Sequence, residues 1–220
     1  PRTSSAASDV YKRQPLFFAK ILLFGEYGII KDSKGLSIPY NFYQGALKIP
    51  IDGKEFDKNS NKKLLDFAAY LKTLDSTVID FDWEKLDRDL ANKMYFDSSI
   101  PQGYGIGSSG ALVAAIYDQY ACYKITVLEN LTKEKLGYLK NIFSLMESCF
   151  PGKSSGLDPL NSYLSLPILI NSKENIQTTG IPSQHSKGKG AVFLLDSGKT
   201  GKTAPMISMF MENMKKFVYF

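Results

Sequence analysis

The sequence predicts a fold of mixed α and β class, on three observations. Strand-sized apolar runs such as "ILLF" and "AVFLL" are interspersed with stretches of helical spacing. Apolar residues make up 44% of the 220 positions, enough to bury a core. No internal repeat or low-complexity linker interrupts the pattern, and no run nears the roughly 20 apolar residues of a membrane helix.

Taken in order, residues 1–14, "PRTSSAASDVYKRQ", are polar and aperiodic. They resemble translated sequencing-adapter read-through and are set aside as a non-native or disordered leader. The patterned chain starts at Pro15. "FFAKILLF" (17–24) reads as a buried strand with Lys20 inside the apolar run. Turn signals follow at Asp32–Gly35, and a second short strand is expected around Ala46–Ile51. In 61–75, apolar residues at 64, 65, 68, 71 and 74 predict a helix. A strand is expected at 77–81. The glycines of "GYGIGSSGA" (103–111) bar helix interior, where each costs about 1 kcal/mol. A helix therefore begins at the serines, with Ser108 as its N-cap. The next helix spans 132–149, with apolar positions at 136, 139, 142, 143 and 146, and "FPGKSSGLDP" breaks it. Strands at 167–170 and 191–195 and a helix at 204–215 complete the reading.

Composition narrows the function. The net charge of +5 is modest, and the leader contributes Arg2, Lys12 and Arg13 against Asp9. The remainder is too weak and dispersed to argue for nucleic acid. Cys122 and Cys149 read as small core residues of a reduced, cytoplasmic protein and lack metal-ligand spacing. No basic-then-apolar start marks a secretory signal. His185 is the single histidine and sits in the polar stretch "PSQHSKGKG", a solvated loop. That disfavours a Ser-His-Asp hydrolase and a histidine-rich metal site.

The glycine stretch is the strongest chemical signal. A helix N-terminus presents unpaired N–H groups and a positive dipole end, and glycines ahead of it let the backbone approach an anion. Ser108 and Ser109 add hydroxyls for a phosphate oxygen or Mg²⁺. The expected ligand is a nucleoside triphosphate. A Walker A loop is absent: five residues before "GKS" (152–154) and the two "GKT" stretches (198–200, 201–203) stand Glu147, Phe193 and Asp196, not glycine. Gly105, Gly107 and Gly110 match G-x-G-x-x-G, yet the preceding "DSSIPQGY" is a proline-broken turn rather than a strand.

Phosphoryl transfer also needs a metal holder, a base and charge neutralisation. Glu147, among apolar residues in "SLMESCF", is either a metal holder or a surface glutamate. Asp158, after "SSG", is either a cap or a proton acceptor for a substrate hydroxyl. Lys20 either snorkels outward or is buried against a phosphate or Asp158.

At these residues the chain resembles the GHMP small-molecule kinases. "PQGYGIGSSGA" (101–111) is similar to the family loop P-x₃-G-L-G-S-S-A, "AKILLFGEYGII" (19–30) to its N-terminal strand motif, and "ESCFPGKSSGLDPLNS" (147–162) to the stretch in mevalonate kinases that ends S-G-x-D-N. The resemblance implies an α+β fold in two domains. The N-terminal one is like a domain of a small-subunit ribosomal protein, the C-terminal one is ferredoxin-like, and ATP lies between them. Residues 15–190 would form the first and 191–220 only the start of the second. By position, Ser109 and Glu147 would bind Mg²⁺, Asp158 would be the base, and Lys20 would stabilise Asp158 and the reacting alkoxide. Gly103, Gly105, Gly107, Ser108 and Gly110 would line the triphosphate, and Glu26 and Tyr27 would face the acceptor. The implied reaction moves the ATP γ-phosphoryl group to a hydroxyl of mevalonate, in isoprenoid precursor synthesis, with no nucleic acid or membrane partner. A homodimer is compatible with this reading.

The chain departs from the family pattern in places. Tyr27 stands where mevalonate kinases have His, and the loop ends Ser-Ser-Gly; both look more like phosphomevalonate kinases. Pro151 replaces a common His. The C-terminal glycine-rich motif is missing. The reading expects a truncated second domain, poor solubility and weak or no activity of these 220 residues. A phosphomevalonate or other GHMP kinase, and a non-catalytic nucleotide or metabolite sensor, stay open as alternatives.

Overall fold

A computed structural model describes residues 15–50, 55–150, 154–180, 194–196, 198–201 and 203–217. The leader, Pro151 and His185 lie outside the described residues, as does most of the strand expected at 191–195; residues 194–196 have no regular structure. The elements run β1 (Phe17–Phe24), β2 (Gly35–Lys48), α1 (Lys58–Leu71), α2 (Trp83–Ala91), β3 (Tyr95–Ser98), α3 (Ser108–Tyr120), α4 (Lys133–Glu147), α5 (Leu157–Leu164), β4 (Ile168–Ile170), β5 (Ile176–Thr178) and α6 (Thr203–Phe217).

The five strands form one antiparallel sheet organised on β2. β1 pairs along one edge of β2, from Phe17 opposite Gly45 to Phe24 opposite Leu36. The other edge is shared: β4 takes Gly35–Ser37 and β3 takes Gly45–Lys48. β5 continues outward from β4. The register slips where Phe18 faces Gln44 but Ala19 faces Tyr40, so Asn41–Tyr43 bulge out of the ladder. Just past the slip, the N–H of Lys20 donates to the carbonyl of Ile106 at 3.0 Å. β1 is thereby stitched to the glycine-rich loop.

α3 is the core helix. From Gly110 to Tyr120 it buries Ala111, Val113, Ala114, Ala115, Ile116, Tyr117 and Tyr120, and a helix so apolar belongs inside. Leu64, Phe67, Ala68 and Leu71 of α1, Leu86 and Leu90 of α2, and Leu136, Leu139, Phe143 and Met146 of α4 pack in the same core, with Phe17 and Ala19 of β1. α1 and α4 follow the predicted spacing, although Leu65 is exposed.

Several expectations need correction. Residues 77–81 are not a strand: Asp75 gathers the N–H groups of Thr77, Val78 and Ile79 into a turn, and only Phe81 bridges Ala121. The sequence pattern does not predict α2, β3, α5 or β5. Ser108 is not the N-cap of α3. Gly107, in the left-handed region at φ +84°, holds that position and puts Ser108 in the first turn. Cys122 and Cys149 are half-buried rather than core. Among the described residues no helix is long and apolar enough to cross a membrane.

Candidate active site

The N-termini of α3 and α5 meet. Each is preceded by a left-handed glycine, Gly107 at φ +84° and Gly156 at +74°, and neither carries a side-chain cap. Two positive dipole ends therefore lie close together. Gly110 makes the approach possible. A Cβ there would lie 2.7 Å from the carbonyl carbon of Asp158 and 2.8 Å from the nitrogen of Pro159. Ahead of α3, Gly103 (φ +81°) and Gly105 (φ +70°) are also left-handed. Around Gly105 a Cβ would meet only open space, so there the dihedral alone asks for glycine.

Four of the side chains singled out in the sequence converge beside this loop. Lys20 leaves β1 on the face opposite Ala19 and is buried, its side chain 9% exposed. Its Nζ lies 3.0 Å from Oδ1 of Asp158, in the first turn of α5. The loop covers the lysine stem: a Cβ on Gly107 would sit 3.1 Å from Lys20 Cγ. The Oγ of Ser109 donates to Glu147 Oε1 at 2.8 Å, joining α3 to the last residue of α4. Burial pushes the Glu147 carboxyl above the usual range and the charge of Asp158 adds to this. Hydrogen bonds from Ser154 and Ser109 and the Lys20 ammonium act the other way.

Glu26 and Tyr27 do not join this cluster through any described contact. They lie past the end of β1, with Glu26 exposed. Tyr27, at φ +57°, donates its hydroxyl to Met206 Sδ at 3.1 Å, and its ring is 5.8 Å from that of Phe210. α6 is thus seated on Tyr27, while the N–H of Gly201 donates to Gly103 O at 3.3 Å.

Sequence reasoning missed Ser154, whose Oγ donates to Glu147 Oε2 at 2.6 Å. The only signal was its place two residues before Gly156, in "SSG". Among the described residues no cluster of three or more His, Cys, Asp or Glu forms a protein cage for a metal. The Ser109–Glu147 pair is a hard, all-oxygen donor set, which suits Mg²⁺ held jointly with phosphates.

Comparison with known proteins adds a family likeness over part of the chain. The family model described as GHMP kinases N terminal domain matches residues 70–165, a span holding the glycine loop, Ser109, Glu147 and Asp158. Over residues 70–165 the chain is similar to a GHMP kinase N-terminal domain. Lys20 reaches it from β1, outside the matched span. GHMP kinases are phosphotransferases. Among solved structures, the chain is similar to the mevalonate kinase of L. major in complex with R-mevalonate, at 17% identity over 92% of this chain and 61% of that one, TM-score 0.49. It is also similar to the mevalonate kinase of methicillin-resistant Staphylococcus aureus MRSA252, at 19% identity over 74% and 53%, TM-score 0.39. The chain therefore spans less than two thirds of either kinase. No curated protein sequence matches it.

Proposed function

We propose that the chain is the ATP-binding part of a small-molecule kinase that transfers the γ-phosphoryl group of ATP to a hydroxyl of mevalonate. One observation carries the reading: Lys20, Ser109, Glu147 and Asp158, from four different elements, gather where the α3 and α5 N-termini meet beside the glycine loop. Backbone N–H groups of 103–110 would hold the triphosphate. Asp158 would accept the proton of the acceptor hydroxyl, and Lys20, already paired to it, would stabilise the alkoxide as the proton leaves. Ser109 and Glu147 would hold Mg²⁺, which supplies charge neutralisation on the phosphates. Residues 15–190 are read as the ATP-binding domain and 191–220 as the start of a second domain.

The acceptor is the finer part of the proposal. Tyr27, with its hydroxyl turned to α6 instead of a histidine at that place, favours testing phosphomevalonate beside mevalonate. The experiment is acceptor-dependent ADP release with mevalonate, phosphomevalonate and homoserine by the chain extended with a complete second domain, alongside Mg²⁺-dependent ATP binding. ADP release with mevalonate that Asp158→Asn abolishes supports the reading. ATP binding without ADP release for any acceptor supports a nucleotide sensor instead.

A further inference from the structure

We propose that Ser154 is a positioning residue that holds the Glu147 carboxylate in register for the metal; this rests on the magnesium role given above to Ser109 and Glu147. Glu147 is the last residue of α4. Its two oxygens are gripped from different elements: Oε1 accepts from Ser109 Oγ at 2.8 Å and Oε2 from Ser154 Oγ at 2.6 Å.

The direction of the Ser154 bond follows from its other contact. The N–H of Gly156 donates to Ser154 Oγ at 3.0 Å, which occupies a lone pair and leaves the hydroxyl proton for Glu147. The serine is fixed by its main chain too, because Ser144 Oγ donates to the Ser154 carbonyl at 2.9 Å. Ser144 stands one turn before Glu147 on α4. The helix thus grips Ser154 by its carbonyl and is gripped back at the carboxylate. Ser109 and Glu147 would hold the metal, and the Ser154 bond to Oε2 would keep the carboxylate oriented for it. Partners that orient a ligand in this way set metal affinity without touching the ion.

Mn²⁺, an oxygen-seeking ion of the same coordination preference, is the probe. Free Mn²⁺ is counted by electron paramagnetic resonance during titration of the 220-residue chain saturated with a non-hydrolysable ATP analogue. Ser154→Ala keeps the Ser144 bond to the main chain and is expected to weaken Mn²⁺ binding about 10-fold or more. Ser154→Thr restores the hydroxyl and the affinity. The metal-free unfolding temperature returns to the parent value in Ser154→Thr, and metal-free nucleotide affinity changes little in either variant. If Ser109→Ala and Glu147→Gln weaken Mn²⁺ but Ser154→Ala does not, the positioning role is wrong and the metal site stands. If the unaltered chain shows no nucleotide-linked Mn²⁺ site, both fall.

Discussion

Lys20 Nζ and Asp158 Oδ1 lie 3.0 Å apart, the lysine sheathed by the glycine loop and the aspartate side chain 35% exposed. The pair unites a strand and a helix 138 residues apart in sequence, and its asymmetry matters. The lysine is buried, and the more open aspartate can meet a substrate.

Asp158→Asn is therefore expected to remove a base while leaving the nucleotide contacts in place. Turnover should fall by about 10² to 10⁴. ATP affinity, read by calorimetry, should stay within about twofold. Full activity in this variant would take Asp158 out of the mechanism.

Lys20→Met should act differently from the Asn variant. It removes the buried charge without leaving an unpaired lysine, so the fold tolerates it. Asp158→Ala strands the ammonium and should lower stability by about 3 kcal/mol. Denaturant unfolding of the two variants checks the order; a more stable Asp158→Ala than Lys20→Met contradicts it.

Glu147 carries a stability cost whose sign can be stated. Its carboxyl is raised in the folded protein, so the folded state binds that proton more tightly than the unfolded chain. Ionising it opposes folding at neutral pH, and the opposition fades as pH falls from the raised folded value to the unfolded one. Metal-free Glu147→Gln should therefore melt higher than the parent near pH ~7. The advantage should shrink on acidification, and nucleotide-linked metal binding should be lost. A lower melting temperature at neutral pH would contradict the sign.

Ser109→Ala should weaken nucleotide binding only when Mg²⁺ is present. Nucleotide affinity measured across a Mg²⁺ series is the check, and an unchanged series counts against the metal role.

Gly110→Ala and Gly105→Ala separate two reasons for glycine. At Gly110 the added carbon meets the α5 backbone, which cannot swing aside, and overpacking costs about 1–3 kcal/mol. At Gly105 there is room, so only the left-handed dihedral is charged, about 1–2 kcal/mol. Gly110→Ala should also disturb the Lys20–Asp158 pair and activity. If the Gly105 variant is the more destabilised, the packing account is mistaken.

Much of this site was legible in the residues because each part is local. A lysine inside an apolar strand, three glycines before a small-residue helix, and acidic residues flanking a helix break all announce themselves by sequence spacing. What was not legible depends on distant partners. α2 buries only two leucines, Leu86 and Leu90, and its start rests on Asp82 accepting the N–H of Lys85. β3 is four residues with no fully buried side chain, and exists because β2 offers an edge at Gly45–Lys48. Ser154 had only its place before Gly156 to mark it. Its aim depends on the turn after α4 and on the positive φ of Gly156, where a Cβ would overlap the Lys140 carbonyl oxygen.

The bond from the Lys20 N–H to the Ile106 carbonyl is made of main-chain atoms alone. Among natural substitutions only proline at position 20 deletes its donor. Side chains along the loop can drift over generations while its anchorage to the sheet survives, which gives this segment latitude to change what it recognises without losing where it stands.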